Sequence, residues 1–322
     1  MNTEMSNKIL LEVKNLKKYF KVGKNGLLHA VDDVSFSVPK GSTIGVVGES
    51  GCGKTTLGRT LLKLVEPTSG EIIFDGKHIE KYKRREMKAL RSKMQIIFQD
   101  PYSSLNPRKS VYESIAIPLE VNKICKTKGE LEKRVENLMD TVGLAKRLRN
   151  SYPHELDGGR RQRICVARAL ALEPEFIVCD EPVSALDVSI QAQILNLLMD
   201  LQDDMGLTYM FITHDLSVVK HISRQIMVMY LGRCVEMAPS RELFANPLHP
   251  YTKALLSAIP VPDISSRTRK PNLIKGEITS PINPSPGCRF APRCPMACAD
   301  CIGSDIEMRE PVSGHKVACP LA

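Results

Sequence analysis

Short apolar runs alternate along this chain with segments whose apolar residues recur at helical spacing. Residues 43–47, 175–179 and 209–212 are apolar almost throughout, which is typical of strands buried on both faces of a sheet. Residues 30–38 alternate apolar and polar positions, which predicts a half-exposed antiparallel strand. Helical patterns dominate from about residue 102 to 170, a further helix is predicted at 191–202, and residues 225–237 resemble a closing hairpin. The order predicts an α/β fold with a largely parallel sheet, an antiparallel subdomain and a helical subdomain.

Composition limits the class of protein without identifying it. The chain has 322 residues, of which 43% are hydrophobic and 25% charged, as in soluble globular proteins. No apolar run reaches the roughly 18–20 residues that cross a bilayer, and no secretory signal pattern opens the chain. We therefore expect a cytosolic protein. The net charge of +9 comes without a motif for reading nucleic acid, so it favours an anionic membrane surface or a solvated face.

The stretch from Gly48 to Thr55 matches the phosphate-binding loop pattern G-x-x-x-x-G-K-[ST], between a predicted strand and a predicted helix. Its glycines allow backbone N–H groups to point at an anion, and the helix N-terminus adds partial positive charge. Lys54 is expected to reach the β- and γ-phosphates and Thr55 to hold Mg²⁺. The chain is thus predicted to bind a nucleoside triphosphate with Mg²⁺. The predicted binding residues are Gly48, Glu49, Ser50, Gly51, Cys52, Gly53, Lys54, Thr55 and Thr56.

Polar residues follow other apolar runs, at places suited to phosphoryl transfer. Asp180 comes directly after a predicted buried strand and is expected to hold Mg²⁺ together with Thr55. Glu181, next along the chain, is placed to polarise the attacking water. Gln99 and His214 end two further strands, where side chains can converge on a γ-phosphate, and Gln99 is a further candidate Mg²⁺ ligand.

With these residues in place, the chain resembles the ATP-binding subunits of ABC transporters over essentially its whole length. Residues 180–187 look like the Walker B segment followed by the D-loop, Gln99 matches the Q-loop and His214 the switch histidine. Phe20 aligns best with the aromatic residue that stacks on adenine, with Tyr19 as second choice, although either could fill core. The D-loop residues are Ser184, Ala185, Leu186 and Asp187, and the signature-loop residues that would face a partner's ATP are Leu156, Asp157, Gly158, Gly159 and Arg160.

Three stretches are similar to one branch of that family, the ATPases of oligopeptide and dipeptide importers: 48–54, 94–107 and 249–255. Residues 56–59 favour the F-type of the two paired ATPases. The resemblance implies a peripheral ATPase at the cytoplasmic face, working with a second ATPase, two membrane subunits and an extracytoplasmic binding protein. The membrane subunits would contact residues near 99–121. One alternative is an importer of nickel or another small solute, and another is a soluble ABC ATPase that acts on DNA or ribosomes. For the peptide importer itself, no nucleic-acid partner is expected.

The signature loop departs from the family pattern Leu-Ser-Gly-Gly-Gln. Asp157 replaces the serine and Arg160 the glutamine. An ionised Asp157 cannot donate a hydrogen bond to a γ-phosphate and would repel it, while Arg160 could partly neutralise that charge. The pattern predicts two unequal ATP sites in the assembled pair. The alternative is a tolerated substitution with little effect.

Five of the ten cysteines lie between residues 288 and 319, in a tail whose composition shifts at Pro260. Cys288, Cys294, Cys301 and Cys319 have the spacing C-x5-C-x6-C-x17-C, which suits a tetrahedral metal or a cubane cluster. The family resemblance implies a [4Fe–4S] cluster on these four. Zn²⁺ and unligated thiols are the alternatives, and Cys298 could replace Cys301. The predicted domains are an ATP-binding domain at 8–259 and a C-terminal extension at 260–322.

Overall fold

The structure is a computed structural model that describes residues 8–259, 274, 276 and 279–322, and its contacts divide the chain into two bodies. The first body comprises Pro39–Ser42 and Tyr82–Met210. The second comprises Ile9–Val38, Thr43–Lys81 and the described part of Phe211–Ala322.

The elements are numbered in chain order. The strands are β1 (Ile9–Val22), β2 (Gly26–Pro39), β3 (Thr43–Val47), β4 (Ser69–Phe74), β5 (Lys77–His78), β6 (Met94–Ile97), β7 (Phe176–Asp180), β8 (Thr208–Ile212), β9 (Gln225–Tyr230), β10 (Arg233–Pro239), β11 (Arg309–Val312) and β12 (His315–Val317). The α-helices are α1 (Lys54–Leu61), α2 (Arg84–Leu90), α3 (Pro101–Ser104), α4 (Val111–Val121), α5 (Lys128–Thr141), α6 (Gly158–Leu170), α7 (Val188–Met205), α8 (Leu216–Ile222), α9 (Ser240–Ala245) and α10 (Pro250–Ser257).

The second body contains the predicted antiparallel subdomain, a sheet of order β2-β1-β4-β5. β1 and β4 pair antiparallel, with Leu11 opposite Phe74 and Val13 opposite Ile72. In β2 the side chains from Asp33 to Val38 alternate between exposed and buried, as the sequence pattern predicts. This half-exposed sheet therefore has one face on the core and one in solvent.

β3, whose five residues are all buried, is an inner strand of a second sheet in this body. β9 runs parallel to β3, and β10 returns antiparallel to β9, which confirms the predicted hairpin between residues 225 and 237. β12 then pairs with β10, and β11 with β12. The sequence treated everything after Pro260 as a tail of its own. In the described part, two short strands instead extend this sheet, because the outer edge of β10 offers unpaired backbone groups.

In the first body, β6 and β7 pair parallel, from Met94 opposite Phe176 to Ile97 opposite Cys179. Helices α3 to α6 fill the segment that the sequence assigns to a helical subdomain. The helix predicted at 191–202 is longer than expected, since α7 begins at Val188. Asp187 accepts a hydrogen bond from the Ile190 N–H at 3.0 Å, and Gly206 ends the helix with a φ of 66°. Across the described residues, no helix has both the length and the apolar character needed to span a membrane.

Candidate functional site

The predicted phosphate loop lies between buried β3 and helix α1, all within the second body. Gly48, Gly51 and Gly53 have φ angles of 151°, 78° and 104°, which side chains rarely tolerate. A Cβ atom on Gly53 would also overlap the Ala30 carbonyl oxygen, and one on Gly48 would overlap the Met229 carbonyl oxygen. Glycine is therefore required at Gly48 and Gly53 by both backbone conformation and space.

Lys54 lies inside this loop and is only 5% exposed. Its Nζ donates to the carbonyl oxygens of Gly48 at 2.7 Å and Glu49 at 3.0 Å. Among the described residues, no side chain caps α1 at Gly53, so the first turn presents backbone N–H groups rather than a side-chain acceptor. A buried ammonium beside an uncapped helix N-terminus is a suitable environment for a polyanion. Burial raises the pKa of the neighbouring Cys52 thiol, which therefore stays protonated.

Three of the predicted phosphoryl-transfer residues lie in the first body. Asp180 ends β7 and is 2% exposed, in keeping with a carboxylate held at a strand end. Glu181 follows with a φ of 46°, an uncommon conformation for a residue other than glycine. The Gln99 Nε2 donates to the Glu181 Oε2 at 2.9 Å, so the structure brings these two together. The amide orients the carboxylate that the sequence assigns to the attacking water.

The D-loop residues follow Glu181 closely in the chain and are held by local hydrogen bonds from side chains to backbone groups. The Ser184 Oγ donates to the Glu181 carbonyl oxygen at 3.1 Å, and Asp187 caps α7. His214 lies in the second body and is exposed, two residues after the end of β8 and just before Asp215, which caps α8. It therefore follows a buried strand closely, and its role at a γ-phosphate stays a prediction.

The signature loop is the N-terminus of α6 in the first body. The Asp157 Oδ1 accepts a hydrogen bond from the Arg160 N–H at 2.8 Å, and the Arg160 Nη1 lies 3.4 Å from Asp157 Oδ2. Asp157 thus caps the helix as a serine would. A Cβ on Gly159 would lie 2.7 Å from Ile190, and one on Gly158 would lie 2.9 Å from Leu186, so the loop packs closely on the D-loop and α7.

The two candidate adenine-stacking residues differ in what they contact. The Tyr19 ring stacks on His29 at a centroid distance of 4.0 Å, and its hydroxyl donates to Asp32. Burial raises the pKa of Tyr19, and the hydrogen bond to Asp32 adds to that shift. Phe20 has the Lys18 Nζ 4.6 Å from its ring centroid. Because the Tyr19 side chain already contacts Asp32 and His29, Phe20 is the better candidate for stacking on adenine.

The cysteine-rich segment is only partly assembled in the way the sequence predicts. The sulfur atoms of Cys298 and Cys301 are 3.6 Å apart, so the residue outside the predicted set lies against one inside it. Burial raises the pKa of the Cys288 thiol to about 11. In the ranges that the structure describes, no three His, Cys, Asp or Glu side chains form a group able to hold a metal ion.

Sequence reasoning missed two residues that contact the phosphate loop. The Tyr251 hydroxyl accepts a hydrogen bond from the Glu49 N–H at 2.9 Å, and Arg293 forms an ion pair with the Glu49 carboxylate at 2.7 Å. Tyr251 lies in one of the stretches similar to peptide-importer ATPases, but nothing in that stretch indicated a role. Arg293 has no local signal, because its partner is 244 positions away in the sequence.

Comparison with known proteins assigns the family. A model described as ABC transporter matches residues 31–184, and one described as Oligopeptide/dipeptide transporter, C-terminal region, matches residues 235–301. The chain is 51% identical over 314 residues to the oligopeptide transport ATP-binding protein OppF of Bacillus subtilis, with 97% of each chain covered. It is 48% identical over 327 residues to AppF of the same organism, with 99% of each covered.

Solved structures show the same fold. The structure of cbiO1 from Clostridium perfringens, part of the ABC transporter complex cbiONQ, is similar with a TM-score of 0.67 at 30% identity, over 74% of this chain and 92% of that one. The ATP-binding cassette MJ0796, dimeric and bound to ADP and Pi, has a TM-score of 0.66 at 29% identity, over 72% and 99%. The predicted α/β class is confirmed. The chain belongs to the ATP-hydrolysing subunits of ABC transporters, in the oligopeptide/dipeptide branch.

Proposed function

We propose that this chain hydrolyses ATP to power the import of oligopeptides and dipeptides across the cytoplasmic membrane. The observation that carries the proposal is the match of its C-terminal residues 235–301 to the oligopeptide/dipeptide transporter model, in a chain similar over 97% of its length to an oligopeptide transport protein. The glycine-dependent phosphate loop, with Lys54 buried inside it, supports the ATPase part of the proposal.

The proposed roles in hydrolysis follow the chemistry of each side chain. The phosphate loop binds the triphosphate through its backbone N–H groups, and Lys54 neutralises charge on the β- and γ-phosphates. Thr55, Asp180 and Gln99 supply oxygen ligands for Mg²⁺, which offsets the negative charge that develops in the transition state. Glu181 polarises the water that attacks the γ-phosphorus, and its hydrogen bond from Gln99 holds it in place.

Other proposed roles concern the γ-phosphate, the base and the assembly. His214 donates to the γ-phosphate, and Phe20 stacks on the adenine. We propose that residues 8–259 form the ATP-binding domain and 260–322 a C-terminal extension. The chain would lie at the cytoplasmic face as a peripheral subunit, with residues near 99–121 in contact with two membrane subunits. A second ATPase and an extracytoplasmic peptide-binding protein complete the transporter.

We propose that the two ATP sites of the pair are unequal. The helix-capping role of the family serine is preserved in Asp157, but an ionised carboxylate has no proton to donate to a γ-phosphate. Its charge is only partly offset by Arg160, since both side chains are about half exposed. The ATP held by this chain meets the partner's signature loop and turns over. The ATP held by the partner meets Asp157 and turns over slowly.

The proposal of a [4Fe–4S] cluster on Cys288, Cys294, Cys301 and Cys319 rests on their spacing and the family resemblance. The described arrangement does not itself form a metal site. No step of ATP hydrolysis passes through these residues, so a cluster there, or Zn²⁺ in its place, would have a structural role.

Glu181→Gln is expected to lower ATP hydrolysis by about 100-fold or more, because the amide cannot polarise water as a carboxylate does. The assay uses the transporter assembled with its membrane subunits and compares turnover with and without peptide substrate. ATP binding should be retained. Glu173→Gln, an exposed carboxylate of the same body, is the control and should behave as wild type. Peptide-stimulated hydrolysis that survives Glu181→Gln would contradict the proposal.

The double change Asp157→Ser with Arg160→Gln should raise ATPase activity of the assembled transporter about twofold or more, because a second site then has a hydrogen-bond donor. Serine also caps helices, so α6 should remain intact. Arg147→Gln, which removes one exposed positive charge from the same body, is the control. An unchanged rate in the double variant would show that the two sites were already equal.

Purification of the full chain without oxygen should yield about four iron and four sulfide per chain if the cluster is present. Cys288→Ser should remove them, whereas Cys125→Ser, which lies outside the cysteine-rich segment, should not. One zinc per chain would establish the alternative metal. Neither metal in the wild-type chain would show that these thiols are unligated.

A further inference from the structure

Glu49, the second residue of the phosphate loop, has its backbone and its side chain both held by the second body. Its N–H donates to the Tyr251 hydroxyl at 2.9 Å, and its carbonyl oxygen accepts from the Lys54 Nζ at 3.0 Å. Its carboxylate accepts two hydrogen bonds from Arg293, at 2.7 and 3.2 Å. This two-point geometry between a guanidinium and a carboxylate is stronger and more directional than a contact with a single ammonium donor.

Arg293 is well placed to hold Glu49 firmly. Its side chain is 8% exposed, and that of Glu49 is 23% exposed, so water screens the pair only weakly. The Arg293 Nη1 also donates to the Tyr230 hydroxyl at 3.2 Å, and the guanidinium carbon lies 5.8 Å from the Tyr230 ring centroid. The pKa of Arg293 is raised by its hydrogen bond to Glu49, so the guanidinium stays charged.

The segment that carries Arg293 is itself anchored. The Arg293 N–H donates to the Phe290 carbonyl oxygen at 2.9 Å. Phe290 is 1% exposed, and its ring centroid lies 5.3 Å from those of Tyr230 and Tyr251. Arg289 forms an ion pair with Asp32. Arg293 is therefore presented to the phosphate loop by a packed segment.

A carboxylate in a loop that surrounds a triphosphate is electrostatically unfavourable when it has no partner. The loop's N–H groups, Lys54 and the α1 N-terminus all favour an anion, and an uncompensated Glu49 would oppose them. The ion pair with Arg293 cancels that charge and directs the carboxylate to the guanidinium. Glu49 can then anchor the loop without repelling its ligand.

We propose that Arg293 is a positioning residue for ATP, which acts on the phosphate loop through its ion pair with Glu49. Arg293 lies outside residues 31–184, which the ABC transporter model matches, and inside residues 235–301, which the C-terminal model matches. The C-terminal region thereby becomes part of the nucleotide site. This inference rests on the proposed binding of the triphosphate by the loop.

The test is a two-residue cycle on the full chain, with the dissociation constant of ATP measured by equilibrium titration. Arg293→Gln should weaken ATP binding about five- to tenfold, because Glu49 is then left charged and unpaired beside the phosphates. In the Glu49→Gln background, the same Arg293→Gln change should alter the dissociation constant by less than about twofold. The deficit of Arg293→Gln alone should shrink as salt is raised.

Controls separate this role from general effects. Arg309→Gln alters another arginine of the C-terminal segment, which donates to the Cys319 and Ala322 carbonyl oxygens, and should leave ATP affinity unchanged. Should Arg293→Gln fail to fold, Arg293→Lys keeps the charge, loses the two-point geometry and should weaken binding about two- to threefold.

Two results would overturn the proposal. If Arg293→Gln weakens ATP binding equally with and without Glu49→Gln, Arg293 acts through packing alone. If Arg293→Gln leaves ATP affinity unchanged, Arg293 does not act on the loop. Lys54→Ala serves to test the underlying site. If ATP affinity survives that change, the loop is not the triphosphate site, and the proposed function of the loop fails together with the role of Arg293.

Discussion

The structure depends on one constraint, namely that a short loop must present several backbone N–H groups and a lysine to a polyanion without collapsing. The five residues of β3 are all buried, so this strand fixes where the loop begins. Glycines at Gly48 and Gly53 allow the chain to turn where neighbouring carbonyl groups leave no room for a side chain. Lys54 spans the loop and binds two of its carbonyl oxygens. The positive charge is thereby kept inside the site.

Residues of the C-terminal region also help to hold the phosphate loop in place. Tyr251 and Arg293 hold the backbone and the side chain of Glu49, and the ring of Phe290 packs against that of Tyr251. β12 joins the sheet of β3 through β10. A residue of the part that the oligopeptide/dipeptide transporter model matches thus contacts the phosphate loop, which lies in the part that the ABC transporter model matches.

The signature loop shows how one side chain can keep one role and lose another. A serine at this position would cap α6 and could donate to a phosphate, whereas Asp157 caps α6 and can only accept. The local structure is therefore kept at this position, since the helix cap and the close packing of Gly158 and Gly159 are both present. The consequence that we propose is confined to charge and hydrogen bonding, so it would affect turnover and not folding.

Much of the fold was predictable because its signals are local. Apolar runs marked β3 and β7, and alternation marked β2. Ser110 and Glu113 form a capping box at the start of α4, inside the segment that the sequence assigns to a helical subdomain. Short motifs named the phosphate loop, Gln99, Glu181 and His214 as candidates, whereas the hydrogen bond between Gln99 and Glu181 came from the structure. The start of α7 was misplaced because the cap at Asp187, not the apolar pattern, sets it.

Other features depend on partners far away in the sequence. β11 has four exposed residues and no strand pattern, so only its pairing with β12 makes it a strand. The contact between Arg293 and Glu49 has no sequence signature at either end. The cysteine spacing predicted a four-thiolate site, but the described residues bring Cys298 against Cys301 instead, since spacing alone does not determine which thiols meet.

Amide hydrogen exchange of the full chain, with and without ATP and Mg²⁺, measures most directly where ATP binds. Amides that hydrogen-bond phosphate oxygens exchange more slowly, so residues 49–56 should become protected when ATP is added. The C-terminal segment around Arg293 should be stabilised with them. Protection that leaves residues 49–56 unchanged while appearing elsewhere would contradict the account.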